Sequence, residues 1–146
     1  MRYVFSTAGL KRYRFPTHNN DLVMDRAEAQ CSEVFVVVVE PGKGAPPHQH
    51  DDTEQVFYVL EGEGTLLVGP AQEPHTVRAG DVVRIPPSVR HTIRAKGPGD
   101  LRYLAIDCFG ALGHPGEPTW DSHVRVLCRR QGWKYDEVVN ANGGSP

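Results

Sequence analysis

Apolar and polar residues alternate in short runs along the middle of the chain, and glycine or proline separates one run from the next. The first run, CSEVFVVVVE, is rich in β-branched valine and ends at Pro41-Gly42, which favours a strand over a helix. The same reading predicts further short strands with turns between them, giving strands at 31–40, 55–60, 65–68, 75–77, 81–85, 91–95 and 101–107. Such a succession indicates an all-β sandwich or barrel.

One segment near the C-terminus has the period of a helix. Trp120, Val124 and Leu127 recur at i, i+4 and i+7, Thr119 can cap the first turn, and Gly132 can end the last one. We therefore expect one short C-terminal helix, packed on the outside of the β-structure or on a partner subunit.

Composition narrows the class of protein. The chain has 146 residues, which suits one domain, and its 15 glycines and 12 prolines favour short elements with tight turns. The net charge of -2 and the interspersed signs do not suit nucleic-acid binding, and no apolar run is long enough to span a membrane. No signal peptide is recognisable. The 3 cysteines form no CxxC pattern, which is typical of reduced thiols. We expect a cytoplasmic protein whose partner is a small molecule.

The residues that could carry chemistry fall in two blocks, GKGAPPHQHDDTEQVFYVLEGEG and GDVVRIPPSVRHTIRA. The first block places His48 and His50 two residues apart at the entrance to an apolar strand, with Gln55 a few residues later. The second brings His91 just after a Pro-Pro turn. Three imidazoles and one side-chain oxygen suit a divalent transition metal, provided that the fold brings the blocks together.

These blocks resemble the paired motifs of the cupin superfamily of small β-barrels. In the first motif a glycine precedes H-x-H, a carboxylate position follows, and a second glycine closes the hairpin; the corresponding residues here are Gly42, His48, His50, Gln55 and Gly62. In the second motif the corresponding residues are Gly80, Pro86 and His91, with Ser88 and Ala95 where the pattern has glycine and asparagine. The resemblance covers residues 33–107. It implies a single cupin β-barrel (a double-stranded β-helix, or jelly roll) with His48, His50, Gln55 and His91 as metal ligands.

The fourth ligand is the main departure from the family pattern. Counting back from Gly62 puts Gln55 at the position where a glutamate is usual, whereas Glu54 would fit only with a displaced glycine. Since side chains alternate along a strand, only one of these two neighbours can face the histidines unless a bulge intervenes. We expect Gln55. A neutral ligand set leaves the full +2 charge on the site, which favours anionic ligands and polarisation of a bound carbonyl or water.

The end of the last predicted strand supplies a candidate proton carrier. Asp107-Cys108-Phe109 resembles the D-x-F of the small cupins that isomerise unsaturated uronates, a group that also uses a glutamine ligand. The resemblance implies that Asp107 is catalytic. The arginine that follows in those enzymes is missing from GALGHPG, which puts their substrate clamp in doubt. We expect the substrate-binding wall to include Phe57, Val59, Tyr103 and Phe109.

The family resemblance also suggests a layout of the chain. We expect an N-terminal extension at 1–30 that could serve as a dimer arm, the barrel at 31–110, a C-terminal segment with the helix at 111–139, and a flexible tail at 140–146. Exposed sheet edges need cover, and cupins of this size are commonly dimers through their N-terminal strands, so we expect a homodimer.

The function predicted from these residues is a metal-binding cupin with one divalent transition metal per chain, zinc, nickel, iron or manganese. We expect an enzyme that uses Lewis-acid chemistry, an isomerase, lyase or cyclase, on a small oxygenated substrate. A non-haem metal dioxygenase is one alternative, and a non-catalytic cupin that binds a small ligand is another. The four remaining histidines are expected to be structural: His18, His75, His114 and His123.

Overall fold

The structure, a computed structural model, describes residues 1–140 and consists of two antiparallel β-sheets with two short helices. The strands are β1 (Arg12–Arg14), β2 (Asn19–Met24), β3 (Ser32–Val39), β4 (Glu54–Glu61), β5 (Glu63–Val68), β6 (Glu73–Arg78), β7 (Val82–Ile85), β8 (His91–Ala95) and β9 (Leu101–Cys108). The larger sheet has the order β1-β2-β3-β9-β4-β7 and the smaller one the order β6-β5-β8. The predicted all-β fold class is therefore confirmed.

Strand alternation builds the interior between the sheets. Along β9 every second side chain is buried, from Leu101 through Tyr103 and Ala105 to Asp107. Leu101 on β9 and Val59 on β4 are both fully buried. Removing one such aliphatic side chain from water stabilises the fold by roughly 1.5–3 kcal/mol. The core is apolar along most of β9 and becomes polar only where the strand ends at Asp107.

The predicted helix is present as α1 (Trp120–Gln131). Thr119 caps it, Ser122 returns the hydrogen bond to complete a capping box, and Gly132 ends it in the left-handed conformation with φ 72°. Trp120 packs its ring against Phe35 at a centroid distance of 4.8 Å. The helix is thus fastened to the interior side of the larger sheet of its own chain.

A second helix, α2 (Tyr135–Val139), follows and was not predicted. It has only five residues, too few to display the period of a helix, and Lys134 provides no side-chain cap. Val138 is buried in the same core cluster as α1, so tertiary packing holds this turn in place.

The first thirty residues contribute to the sheet. Strand β2 pairs with β3 and β1 pairs with β2, so the larger sheet extends beyond the predicted start of the barrel at residue 31. The proposed use of 1–30 as a dimer arm, like the division of the chain as a whole, stays a prediction. Of the predicted tail at 140–146, residues 141–146 lie outside the described part of the chain.

Two smaller findings bear on the sequence-based expectations. Cys128 is buried, whereas Cys108 is partly exposed and Cys31 is exposed; all three are free thiols. None of the helices within residues 1–140 combines the length and apolar character that crossing a membrane would require.

Candidate metal centre

Backbone hydrogen bonds join the two histidine blocks. The amide N–H of His48 donates to the carbonyl oxygen of His91 at 3.0 Å, and the N–H of His91 donates to the carbonyl oxygen of His48 at 2.8 Å. The N–H of Ser88 also donates to the carbonyl oxygen of His50 at 2.7 Å. The segment that leads into β4 and the start of β8 are therefore held side by side, and their side chains enter the same space.

Ser88 occupies the position where the cupin motif has glycine, and its backbone shows why. It adopts φ 64°, in the left-handed region that a residue with a Cβ rarely occupies. Its hydroxyl donates to Asp51 Oδ1 at 3.0 Å, which adds a second link between the blocks. The turn before His91 thus keeps the conformation of the motif although the side chain differs.

The three imidazoles form a compact cluster. One nitrogen from each of His48, His50 and His91 lies within 4.8 Å of the other two. Nδ1 of His48 contacts the carbonyl oxygen of Pro46 at 2.8 Å, and Nδ1 of His91 contacts that of Val89 at 2.9 Å. Because a carbonyl oxygen only accepts, each Nδ1 must carry the proton, which leaves the Nε2 lone pairs free to bind a cation.

Burial keeps these imidazoles neutral. It lowers the pKa of His50 to about 3 and that of His91 to about 4, and the charge of His48 lowers both further. It also lowers the pKa of His48 itself. A neutral imidazole is the form that binds a metal, so all three are in the binding form at neutral pH.

The side chain of Gln55 lines the same cavity as the three histidines, and that of Glu54 does not. Gln55 is 5% exposed and its Oε1 is buried with no hydrogen-bond partner among the described residues. Glu54 lies on the outer face of β4, where it pairs with Arg84 at 3.4 Å. Two buried acceptors without a partner, Oε1 of Gln55 and Nε2 of His91, therefore belong to residues that line one cavity.

A row of buried polar residues lies beside Gln55. Its Nε2 donates to Asp107 Oδ1 at 2.7 Å, and Glu33 is the partner of Asp107 on the other neighbouring strand. Arg26 donates two hydrogen bonds to Glu33, at 2.7 and 2.8 Å. Burial, then the hydrogen bond and charge of Glu33, raise the pKa of Asp107 well above its usual range. Neither Arg26 nor Glu33 was singled out from the sequence.

These residues line a cavity of about 710 Å³, a size that holds a small-molecule ligand. Of the residues expected to bind substrate, Phe57, Tyr103 and Phe109 line it, together with Asp107. Val59 is absent from the lining and is fully buried in the core. The expectation that Val59 contacts substrate therefore stays a prediction without support from this lining.

A second polar cluster, which sequence reasoning missed, lies at the mouth of the cavity. Nδ1 of His123 donates to Glu117 Oε1 at 2.8 Å, and Nε2 of His114 lies 3.1 Å from Asp52 and 3.3 Å from Glu117. The hydrogen bond from His123 lowers the pKa of Glu117. These residues are hydrogen-bonded as expected of structural histidines, yet they also line the cavity. No regular spacing in the sequence connects them.

The other two histidines differ from each other. His18 lines the cavity as well, and burial followed by the charge of His48 lowers its pKa to about 4. His75 is exposed and lies near Glu73, so only His75 behaves as a solvated surface histidine. Two exposed arginines, Arg90 and Arg130, complete the rim.

Residues 35–107 match the family model described as the cupin domain. An oxalate-binding protein of Thermotoga maritima is 32% identical over 66 residues, which are 45% of this chain and 53% of that protein. Protein SchB of Streptomyces halstedii is 33% identical over 78 residues, 53% of this chain and 55% of SchB. The chain thus spans about half the length of these curated relatives.

Solved structures share the fold at lower identity. A predicted oxalate decarboxylase of Thermotoga maritima superposes with a TM-score of 0.66 at 19% identity, covering 73% of this chain and 99% of that one. The polyketide cyclase RemF of Streptomyces resistomycificus gives 0.65 at 23%, covering 74% and 80%. KdgF of Halomonas sp. gives 0.63 at 19%, covering 74% and 94%. At these identities the likeness establishes the double-stranded β-helix fold.

Proposed function

The chain belongs to the cupin domain family, and on that premise we propose that it is an enzyme that binds one divalent transition metal and uses Lewis-acid chemistry on a small oxygenated substrate. The ligands are His48, His50, Gln55 and His91. Zinc, nickel, iron and manganese all accept this mixture of nitrogen and oxygen donors. The reaction class is that of an isomerase, lyase or cyclase.

One observation carries the proposal. Nε2 of His91 and Oε1 of Gln55 are buried acceptors without a partner, and both residues line the same cavity. One nitrogen from each of His48, His50 and His91 lies within 4.8 Å of the other two. A buried acceptor left without a donor destabilises a fold by about 1–3 kcal/mol. A cation in the middle of the cluster would satisfy these atoms together.

The charge of the site supports an anionic substrate. Four neutral ligands leave the +2 charge of the metal undiminished, and Arg90 and Arg130 line the cavity, where their charges offset those of Asp52 and Glu117. When bound, the metal would polarise a carbonyl or stabilise an enolate oxygen. Phe57, Tyr103 and Phe109 would form the walls that orient the substrate and exclude water. The relative named as an oxalate-binding protein is consistent with a small acid as ligand.

Proton transfer needs a side chain beside the substrate, and the cavity offers two candidates. We assign the role to Asp107, which lines the cavity next to Gln55. The second candidate is His123, which also lines the cavity. Its Nδ1 proton is hydrogen-bonded to Glu117, so Nε2 of His123 could act as a base. The variants Asp107→Asn and His123→Gln separate the two candidates. The variant that keeps its metal but loses turnover on a panel of small oxo acids identifies the proton carrier.

Elemental analysis of the purified protein tests the ligand set. We expect about one transition metal per chain in the wild type and in Glu54→Ala, and strongly reduced metal in His48→Ala and Gln55→Ala. Full occupancy in His48→Ala would rule out the site. Loss of metal in Glu54→Ala but not in Gln55→Ala would show that the neighbouring carboxylate is the ligand.

The two alternatives are separable by further measurements. Oxygen consumption by iron- or nickel-loaded protein, enhanced in Gln55→Glu, would favour a non-haem dioxygenase. Retained binding of oxalate, with no turnover of any substrate, would favour a non-catalytic ligand-binding cupin.

We also propose that the protein is a homodimer, that it is located in the cytoplasm and that it does not bind nucleic acid. Light scattering of the full chain tests the first, and we expect twice the mass of one chain.

A further inference from the structure

The two ends of the Gln55 amide have different surroundings. Its Nε2 donates to Asp107 Oδ1 at 2.7 Å, while its Oε1 remains without a partner. The two residues are direct neighbours across strands β4 and β9. Because Asp107 presents an acceptor, it favours the N–H end of the amide on its own side and so fixes which end is left for the imidazoles.

Asp107 is itself held from the opposite side. Glu33, its neighbour on β3, contacts it, and Arg26 grips Glu33 through Nε at 2.7 Å and through a terminal nitrogen at 2.8 Å. The side chains of Arg26 and Glu33 are 4% and 0% exposed. Arg26 also donates to the backbone oxygen of Glu117 at 3.0 Å. Side chains packed this tightly have little rotational freedom, so Asp107 is a fixed acceptor.

We propose that Asp107, held in place by Glu33 and Arg26, is a positioning residue that turns Oε1 of Gln55 toward the three imidazoles and makes glutamine better suited than glutamate to this position. A glutamate has no N–H, so one of its oxygens would face Oδ1 of Asp107 at hydrogen-bond distance without a donor, because the proton of the Asp107 carboxyl group is needed for its hydrogen bond to Glu33. The inference rests on the proposed function, since it concerns how one metal ligand is oriented.

Cobalt(II) is a suitable probe, because its visible absorption reports the coordination of the metal. In the full chain, Asp107→Leu removes the acceptor and lets the amide rotate. We expect cobalt affinity to fall by about 10–100-fold, as for other residues that orient a ligand, with a changed absorption spectrum. The matched control is Asp107→Asn, whose carbonyl can still accept from Gln55 and whose amide can donate to Glu33. It should keep the spectrum, and its affinity should stay within about twofold.

A second pair of variants tests the preference for glutamine. Gln55→Glu should bind cobalt at least about tenfold more tightly in the Asp107→Asn background than alone, because the asparagine amide can donate to the new carboxylate. In the Gln55 background the same Asp107→Asn change should be neutral. This pair remains informative even if circular dichroism shows that Asp107→Leu does not fold.

The outcomes separate this inference from the proposed function. A wild type that takes up no cobalt contradicts the metal site itself. A wild type that binds cobalt, with unchanged affinity and spectrum in Asp107→Leu, overturns the positioning role alone. An equal effect of Asp107→Asn in the Gln55 and Gln55→Glu backgrounds overturns the stated reason for glutamine.

Discussion

The interior of the larger sheet contains two rows of residues that lie on the same three strands, β3, β9 and β4, only four positions apart. Both rows are buried and paired strand to strand; one comprises Glu33, Asp107 and Gln55, and the other Val37, Tyr103 and Val59. The first is polar throughout, and two of its members, Asp107 and Gln55, line the cavity that also holds the three imidazoles. The second is apolar apart from one tyrosine hydroxyl.

This difference shows how one fold separates stability from chemistry. Apolar burial stabilises the fold directly, whereas each polar group must be compensated by a partner. In the polar row every side chain is held by another, and Arg26 supplies the positive charge. The acceptor Oε1 of Gln55 is the exception, since it is buried without a partner. We infer that the polar row is retained for the site, whereas the apolar row stabilises the fold and also lends Tyr103 to the cavity wall.

The largest effect is expected from breaking the polar row at Glu33. Glu33→Ala leaves the guanidinium of Arg26 buried without its carboxylate, and loss of one partner of a buried pair lowers the free energy of unfolding by about 3–5 kcal/mol. Urea denaturation measures this change. As a control, replacing both Arg26 and Glu33 by methionine should recover most of the stability. A single variant as stable as wild type would contradict the pairing.

A comparable but somewhat smaller effect is expected at the apolar end of β9. Leu101→Ala removes a fully buried side chain and should lower the free energy of unfolding by about 2–5 kcal/mol. Its metal content, measured in the folded protein, should equal that of wild type, because the change is remote from the ligands. Loss of metal from a folded Leu101→Ala protein would show that the two ends are not independent.

The smallest effect is a dependence on pH confined to the polar end. The pKa values of His18 and His91 are lowered to about 4, mainly by burial, so below pH 6.5 the unfolded chain binds more protons than the folded one. Each of these two imidazoles should therefore lower the stability of the metal-free protein, on the order of 2 kcal/mol, as the pH falls from 6.5 to about 4.

Urea denaturation of chelator-treated protein at several pH values checks this expectation. His18→Gln should weaken the dependence, and His75→Gln, a change at an exposed histidine, should leave it unaltered. Stability that stays constant between pH 6.5 and 4 would mean that these imidazoles are not buried in solution.

Short-range patterns account for what could be predicted. Alternation along 55–60 is enough to separate Gln55 from Glu54, and spacing alone identifies His48, His50 and His91 as a set. The partners of these residues could not be found in this way. Glu33 lies near the start of a valine-rich strand, and Arg26 begins a short 3₁₀ helix (Arg26–Glu28). Nothing local marks either as buried, because their pairing depends on which strands become neighbours.

Local patterns were enough to predict the fold class, the helix α1 and the set of three imidazoles, because alternation, capping residues and motif spacing are local properties of a chain. The rest depends on the tertiary fold. It left Val59 out of the cavity lining, brought His123 and Glu117 from the C-terminal region to the mouth of the cavity, and aligned Glu33, Asp107 and Gln55 in one row. The physical reason is that sheet order and register join residues far apart in sequence, and no local pattern specifies such a pairing.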